Sequence, residues 1–318
     1  AQKYDWKNIA KQFENIFRKH LNLIYKDNII LCNCINKYLD SIIKDSIKNN
    51  IDIDTHEKYK PLFNIINYVN DTDLLLNYYK YYLTKRLLNS QYNLDNEDII
   101  SHTFQVIFGN EFTSKIVSML NDMKTSEKLN DEYRYTLTGS SSDKKKFNTK
   151  IITSAMWSAD KFDKLEYPID LSNHINKFTD FYNKKYSGRK LLWNNSYIYG
   201  DVDCNCFDKK YILTCNLDQI NTLLKFNYNE SYNQLDFSNI NTDIFEKGKI
   251  LVREDNKLVL NKKFKNKKLK INLRVKPKKQ EKNDKKMKEQ FYFDRSVIMQ
   301  AVIVRIMKTH NKINHNDL

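Results

Sequence analysis

The chain has 318 residues, 41% of them apolar, a formal net charge of +15, five glycines and three prolines. That apolar content excludes a disordered chain, and the scarcity of Gly and Pro argues against an all-β sandwich or barrel and for long helices in two or three domains. The charge is local: Asn261 to Lys288 holds fourteen Lys or Arg against Glu281 and Asp284, leaving 40 basic against 37 acidic residues elsewhere, which reads as a solvated linker before it reads as a binding surface.

From the N-terminus the apolar spacing is helical. Ile9, Phe13, Ile16 and Phe17 open it, Ile29 to Ile43 gives a second helix and Phe63 to Val69 a third. Asp71-Thr72-Asp73 is an N-terminal signal for a helix over Leu74–Leu88, because short acceptor side chains satisfy free N–H groups; two more helices follow over Asn96–Phe108 and Phe112–Met123. Residues 1–145 are therefore expected to be a helical bundle. Gly139-Ser140-Ser141-Ser142-Asp143 is a loop, after which the period changes. Strands are expected over Phe147–Trp157, Lys190–Tyr199 and Val202–Cys215, with a hairpin turn at Gly200-Asp201 and a helix over Leu171–Tyr186. This gives an α/β domain over 146–215, completed by a strand within 267–275. A winged-helix-like unit over 216–266, a basic linker over 276–291 and the start of a second, truncated winged helix over 292–318 complete the expected architecture: mainly α with a smaller α+β part.

No apolar run is long enough to span a bilayer, and the first residues lack the form of a signal peptide. Cys32/Cys34 and Cys204/Cys206 are spaced C-x-C, which makes neither a disulfide framework nor a zinc site, so reduced thiols in the cytoplasm or nucleus are expected. The six histidines stand in separate segments, and no phosphate-binding loop, nucleophile elbow or dinucleotide fingerprint occurs.

Five blocks in order resemble the cullins, the scaffold subunits of multisubunit ubiquitin ligases. They are Asn77 to Leu88 (NYYKYYLTKRLL); Glu111 to Lys115 with Met119 and Asp122-Met123; Phe181-Tyr182 with Ser187 to Leu191 and Trp193; Lys267-Lys268-Leu269 to Asn272; and the apolar helix from Asp294 to Lys308. The C-terminal region of the cullin of SCF-type ligases is the nearest form. Ser158 after Trp157 departs from the usual proline, and Asn50–Leu62 and Asp243–Lys249 are shorter than the family pattern.

The resemblance implies a scaffold with no active site of its own and no cofactor, any zinc belonging to a RING-box partner. It implies that the Lys308 ε-amine forms an isopeptide bond with the ubiquitin-like modifier of the neddylation pathway. A lysine of pKa about 10.4 leaves roughly one amine in a thousand neutral at pH 7, so a partner enzyme must deprotonate it; otherwise Lys308 is an ordinary helix-end lysine. It implies a basic groove, with Lys80, Lys85 and Arg86, for the acidic tail of a ubiquitin-conjugating enzyme, against a solvated helix face. It implies a sheet that pairs with a strand of the RING-box protein, with Trp157, Trp193, Tyr197 and Tyr199 as packing residues, against ordinary core packing. Neddylation enzymes and a Cand-type exchange factor are further expected partners, while the adaptor-binding repeats are expected to lie outside this segment, and neither a membrane nor nucleic acid is an expected partner. The rival reading is a winged-helix nucleic-acid binder; Asp243–Lys249 is short for a groove-reading helix, and the basic tract lacks stacking aromatics beyond Phe264.

Overall fold

The computed structural model describes residues 6–24, 28–137, 147–154, 156–157, 166–233, 242–254, 257–274, 296–297 and 299–309. The chain divides into two units, residues 1–161 with 170–192 and residues 162–169 with 193–318. The expected linker over 276–291 and the Gly139–Asp143 loop lie outside the described residues.

The first unit is helical: α1 (Trp6–Ile24), α2 (Asn28–Asn49), α3 (Tyr59–Ile66), α4 (Thr72–Leu88), α5 (Leu94–Phe108), α6 (Asn110–Thr136) and α7 (Ile169–Lys185). Helix α5 begins where the Asn93 side chain accepts from the amides of Asp95 and Asn96, at 2.9 and 3.2 Å, and it ends at Gly109, whose φ of 90° favours glycine. Helix α4 buries Leu74, Leu75, Leu76, Tyr78, Tyr79, Tyr82, Leu83, Arg86 and Leu87, residues that cover more than half of its circumference. A helix with that pattern sits inside a bundle rather than on its surface. Tilted and edge-to-face ring contacts run from Tyr59 through Phe63 and Phe104 to Tyr79, and a second aromatic cluster joins Tyr133 of α6 to Phe178 and Phe181 of α7.

The strand expected over Phe147–Trp157 does not form in the described part of that segment. The segment is a strap laid along α6 and hydrogen-bonded to side chains of the helix. Asn130 holds Thr149, Ser126 holds both the N–H and the carbonyl of Ile151, and Asp122 accepts from the Thr153 amide and hydroxyl. The three helix residues step by four and the three strap residues by two. Four helical residues rise about 6 Å and two extended residues about 6.6 Å, so the two ladders stay in register. Helix α7 was expected beside the sheet; from residue 170 onward it belongs to the helical unit, where Lys185 pairs with Glu132 of α6.

The second unit carries β1 (Tyr199–Cys204), β2 (Tyr211–Asn216), α8 (Leu217–Lys225), β3 (Ser231–Asn233), α9 (Asp243–Lys247), β4 (Leu251–Glu254), β5 (Lys257–Leu260) and β6 (Lys270–Asn272). One sheet has the order β1-β2-β6, with β1 antiparallel and β6 parallel to β2; the other has the order β3-β5-β4 and is antiparallel throughout. The hairpin turn expected at Gly200-Asp201 lies instead at residues 205–210, and Gly200 and Asp201 are inside β1. Of the strand expected over Lys190–Tyr199 only Tyr199 is in a strand; Asn195–Tyr197 is a turn of 3-10 helix. Both sheets share one core, in which Leu213 and Cys215 meet Phe245, Leu251, Leu258 and Phe264. The boundary expected after residue 215 is therefore not a boundary in packing. Gln219 of α8 ties the parts together, accepting from the Asn216 amide and donating to the Leu273 carbonyl, each at 2.9 Å. Residues 299–309 form a further helix, α10.

Candidate functional site

The three basic residues expected to share a face of α4 do not. Arg86 is 1% exposed, and its guanidinium is enclosed by two carboxylates. Its Nε and Nη2 donate to Glu97 at 2.7 and 2.9 Å, and its Nη1 donates to Asp40 at 2.8 Å. Tyr79 donates to the same Glu97 at 2.8 Å. Burial alone pulls the Arg86 pKa down, but the Glu97 charge and hydrogen bonds, with Tyr79 and Asp40, carry it above its ordinary value. Arg86 thus locks α2, α4 and α5 together and offers no charge to a surface partner, which corrects its place in the basic groove. Lys80 and Lys85 are half-buried. The Lys85 ammonium lies 3.9 Å from the Tyr81 ring centroid and donates to the Tyr81 hydroxyl at 2.5 Å.

The four aromatic residues expected on one sheet are also separated. Trp157 is 4% exposed in the helical unit, where its indole N–H donates to Asp122 at 2.8 Å and ends the strap. It is a core anchor and not a sheet residue. Trp193, Tyr197 and Tyr199 belong to the second unit, and only Tyr199 is in a strand. The Arg274 guanidinium sits 3.9 Å over the Tyr199 ring. Strand β1 pairs only with β2, so its other edge is open among the described residues, and its burial alternates along the strand. On the solvent-facing side Asp201 accepts from Thr214 at 2.6 Å and from Lys270 at 2.7 Å, crossing all three strands. Burial raises the Asp201 pKa, and the Lys270 and Thr214 bonds more than reverse that, leaving it below its ordinary value.

Lys308 is exposed on α10, and its side chain makes no ion pair or hydrogen bond among the described residues. Val302, Val304 and Met307 of the same helix are exposed as well, so the apolar run that marked this helix is not covered among the described residues.

Burial pushes the Cys32, Cys204 and Cys215 thiols up to about 12, with neighbouring charges adding to it, which makes them poor nucleophiles at neutral pH. Among the described residues no group of three or more His, Cys, Asp or Glu is placed to hold a metal ion, and no helix is long and apolar enough to cross a membrane. Sequence reasoning missed the Asp40–Arg86–Glu97 lock. Its signal was Asp40 itself, an acid inside the buried run Leu39, Ile42 and Ile43.

Residues 151–296 match the sequence model described as the cullin alpha+beta domain, and residues 3–130 match the cullin alpha solenoid domain. The solenoid match covers the part expected to be a bundle alone, with the helical repeats outside it. Among similar proteins, Cullin-1 of Caenorhabditis elegans is 26% identical over 89% of this chain and 39% of its own length. Cullin-1 of Schizosaccharomyces pombe is 27% identical over 88% of this chain and 39% of its own length. Cullin-3 of the same yeast is 32% identical over 56% of this chain and 23% of its own length. The chain thus spans about two fifths of the two Cullin-1 proteins.

Proposed function

This chain belongs to the cullin family, and from that premise we propose that it is a non-catalytic scaffold segment of a multisubunit ubiquitin ligase. The observation that carries the reading is the joint match to the family's solenoid and alpha+beta domains, in a chain whose β1-β2-β6 sheet presents, among the described residues, an open six-residue edge strand. On that edge alternate backbone N–H and C=O groups point away from β2, and an extended segment of a RING-box protein adds there as a further strand. Backbone hydrogen bonds supply affinity, while the outward side chains of Tyr199 to Cys204 set the register. Tyr199 is steadied for this by Arg274. Zinc belongs to the RING-box partner. The scaffold then works by raising the effective concentration of a ubiquitin-conjugating enzyme near its target.

In the same reading Lys80 and Lys85 steer an acidic conjugating enzyme, without Arg86, and the exposed Lys308 is the acceptor for the ubiquitin-like modifier. Neddylation enzymes and a Cand-type exchange factor act on the scaffold in the cytoplasm and nucleus.

The test is co-expression with a RING-box protein followed by amide hydrogen exchange. A stable complex in which the amides of residues 199–204 become protected supports strand addition at β1. A complex with no change at those amides refutes that mode of docking, and no complex at all refutes the scaffold reading for this segment.

A further inference from the structure

The described part of the basic tract folds into a defined surface. The β1–β2 turn (205–210) and the loop between β5 and β6 (261–269) are stacked on a shared aromatic knot. Phe264 lies 5.1 Å from Phe207 and 5.2 Å from Tyr211, centroid to centroid. The Tyr211 hydroxyl accepts from the Asn266 amide at 3.1 Å. Phe264 is 4% exposed and Tyr211 1%, so the knot is a buried support that holds both loops still.

Lysines crowd this support: Lys209, Lys210, Lys262, Lys263, Lys265, Lys267, Lys268 and Lys270, all exposed. Four of them are matched to an acid, Lys210 to Asp203, Lys265 to Asp208, Lys262 to Glu230 and Lys270 to Asp201. Lys209, Lys263, Lys267 and Lys268 have no acidic partner among the described residues. Six of the fourteen basic residues between Asn261 and Lys288 thus lie on or beside the second loop, with Lys209 and Lys210 on its neighbour.

We propose that this two-loop lysine surface binds the phosphate backbone of a nucleic-acid duplex without reading its sequence. Lysine is a compact point charge that pairs with phosphate without a demanding geometry, and a duplex presents phosphates at about one charge per 1.7 Å of axis. The rings beneath the patch face inward, which removes the stacking platform that a single strand needs. Helix α9 has five residues, too few to lie along a groove and read base edges. Leu269 is the one large apolar side chain exposed on these loops, a small anchor for a lipid surface.

The experiment is fluorescence anisotropy of the full chain with a mixed-sequence duplex of about 20 base pairs, at salt concentrations from about 50 to 200 mM. The patch variant carries Lys209→Ala, Lys263→Ala, Lys267→Ala and Lys268→Ala. The control variant carries Lys60→Ala, Lys115→Ala, Lys128→Ala and Lys177→Ala, exposed residues of the helical unit, and loses the same charge. Each phosphate contact contributes about 0.9 to the slope of log affinity against log salt, so the patch variant should flatten that slope by about 3 to 4 while the control keeps it. Equal weakening of both variants overturns the proposal, because net charge alone would then account for binding. It is also overturned if no duplex binding occurs at the lowest salt, or if only poly-glutamate peptide or phosphatidylserine vesicles show patch-dependent binding. Matched thermal unfolding of the three proteins ensures that the comparison is made between folded chains.

Discussion

Asn130 holds Thr149 by both ends of its backbone. Its Nδ2 donates to the Thr149 carbonyl at 2.7 Å, and its Oδ1 accepts from the Thr149 amide at 2.9 Å and from the hydroxyl at 3.0 Å. Both residues are buried, so neither end of that peptide has water as a substitute. With Ser126 and Asp122 this forms the rail on which the strap is laid.

Replacing Asn130 with Ala leaves a buried N–H and a buried carbonyl unpaired, and each such group costs about 1–3 kcal/mol. Asn130→Ala is expected to lower unfolding stability by about 2–4 kcal/mol and to speed hydrogen exchange at Thr149 and Ile151 before it does so in α6. Urea unfolding and exchange mass spectrometry measure both. A loss under about 0.5 kcal/mol would show that the rail is incidental.

The buried and half-buried basic residues of α4 should part company on mutation. Arg86→Met leaves the buried Glu97 carboxylate with the Tyr79 hydroxyl and Asp40 with Lys44, removes the charge that both share, and is expected to cost about 3–5 kcal/mol. Adding Asp40→Leu and Glu97→Leu should recover much of that loss. Lys85→Glu should leave the fold intact and slow ubiquitin transfer at low salt, with the difference fading as salt screens it. Transfer rates that do not respond to Lys85→Glu at low salt would remove α4 from the path of the conjugating enzyme.

Alkaline stability should depend on the buried thiols. Cys215 is fully buried and its thiol is pushed up to about 12 from an ordinary 9.0. A group whose folded pKa is raised contributes fully below its unfolded value and loses that contribution as pH rises toward the folded one. The window is therefore pH 9 to about 12. Across it the wild-type chain should lose up to about 1.4 kcal/mol per pH unit more than Cys215→Ala. Parallel stability curves for the two proteins over that window would refute the burial argument.

Lys308→Arg keeps the charge and the helix but removes the primary amine. In the full-length protein it is expected to abolish conjugation to the ubiquitin-like modifier while leaving RING-box binding unchanged. Undiminished conjugation, read by a gel shift and by mass spectrometry of the linked peptide, would transfer the acceptor role to another lysine.

The sequence by itself determined where most helices lie and which family the chain resembles. Helical period and start signals are local properties, so α2, α4 and α5 were legible from apolar spacing, with Asp71-Thr72-Asp73 ahead of α4. The β4 and β5 positions were legible for the same reason, as short apolar runs. The tertiary structure alone decided what each face meets. Alternation over residues 147–157 is the same pattern whether the partner is another strand or a helix that offers Asn130, Ser126 and Asp122 at four-residue steps, and the partner is 19 to 35 residues away in the chain. Spacing placed Arg86 beside Lys85 on α4. Whether that charge faced water was settled by Asp40 and Glu97, 46 and 11 residues distant, because a guanidinium leaves solvent only where carboxylates wait for it.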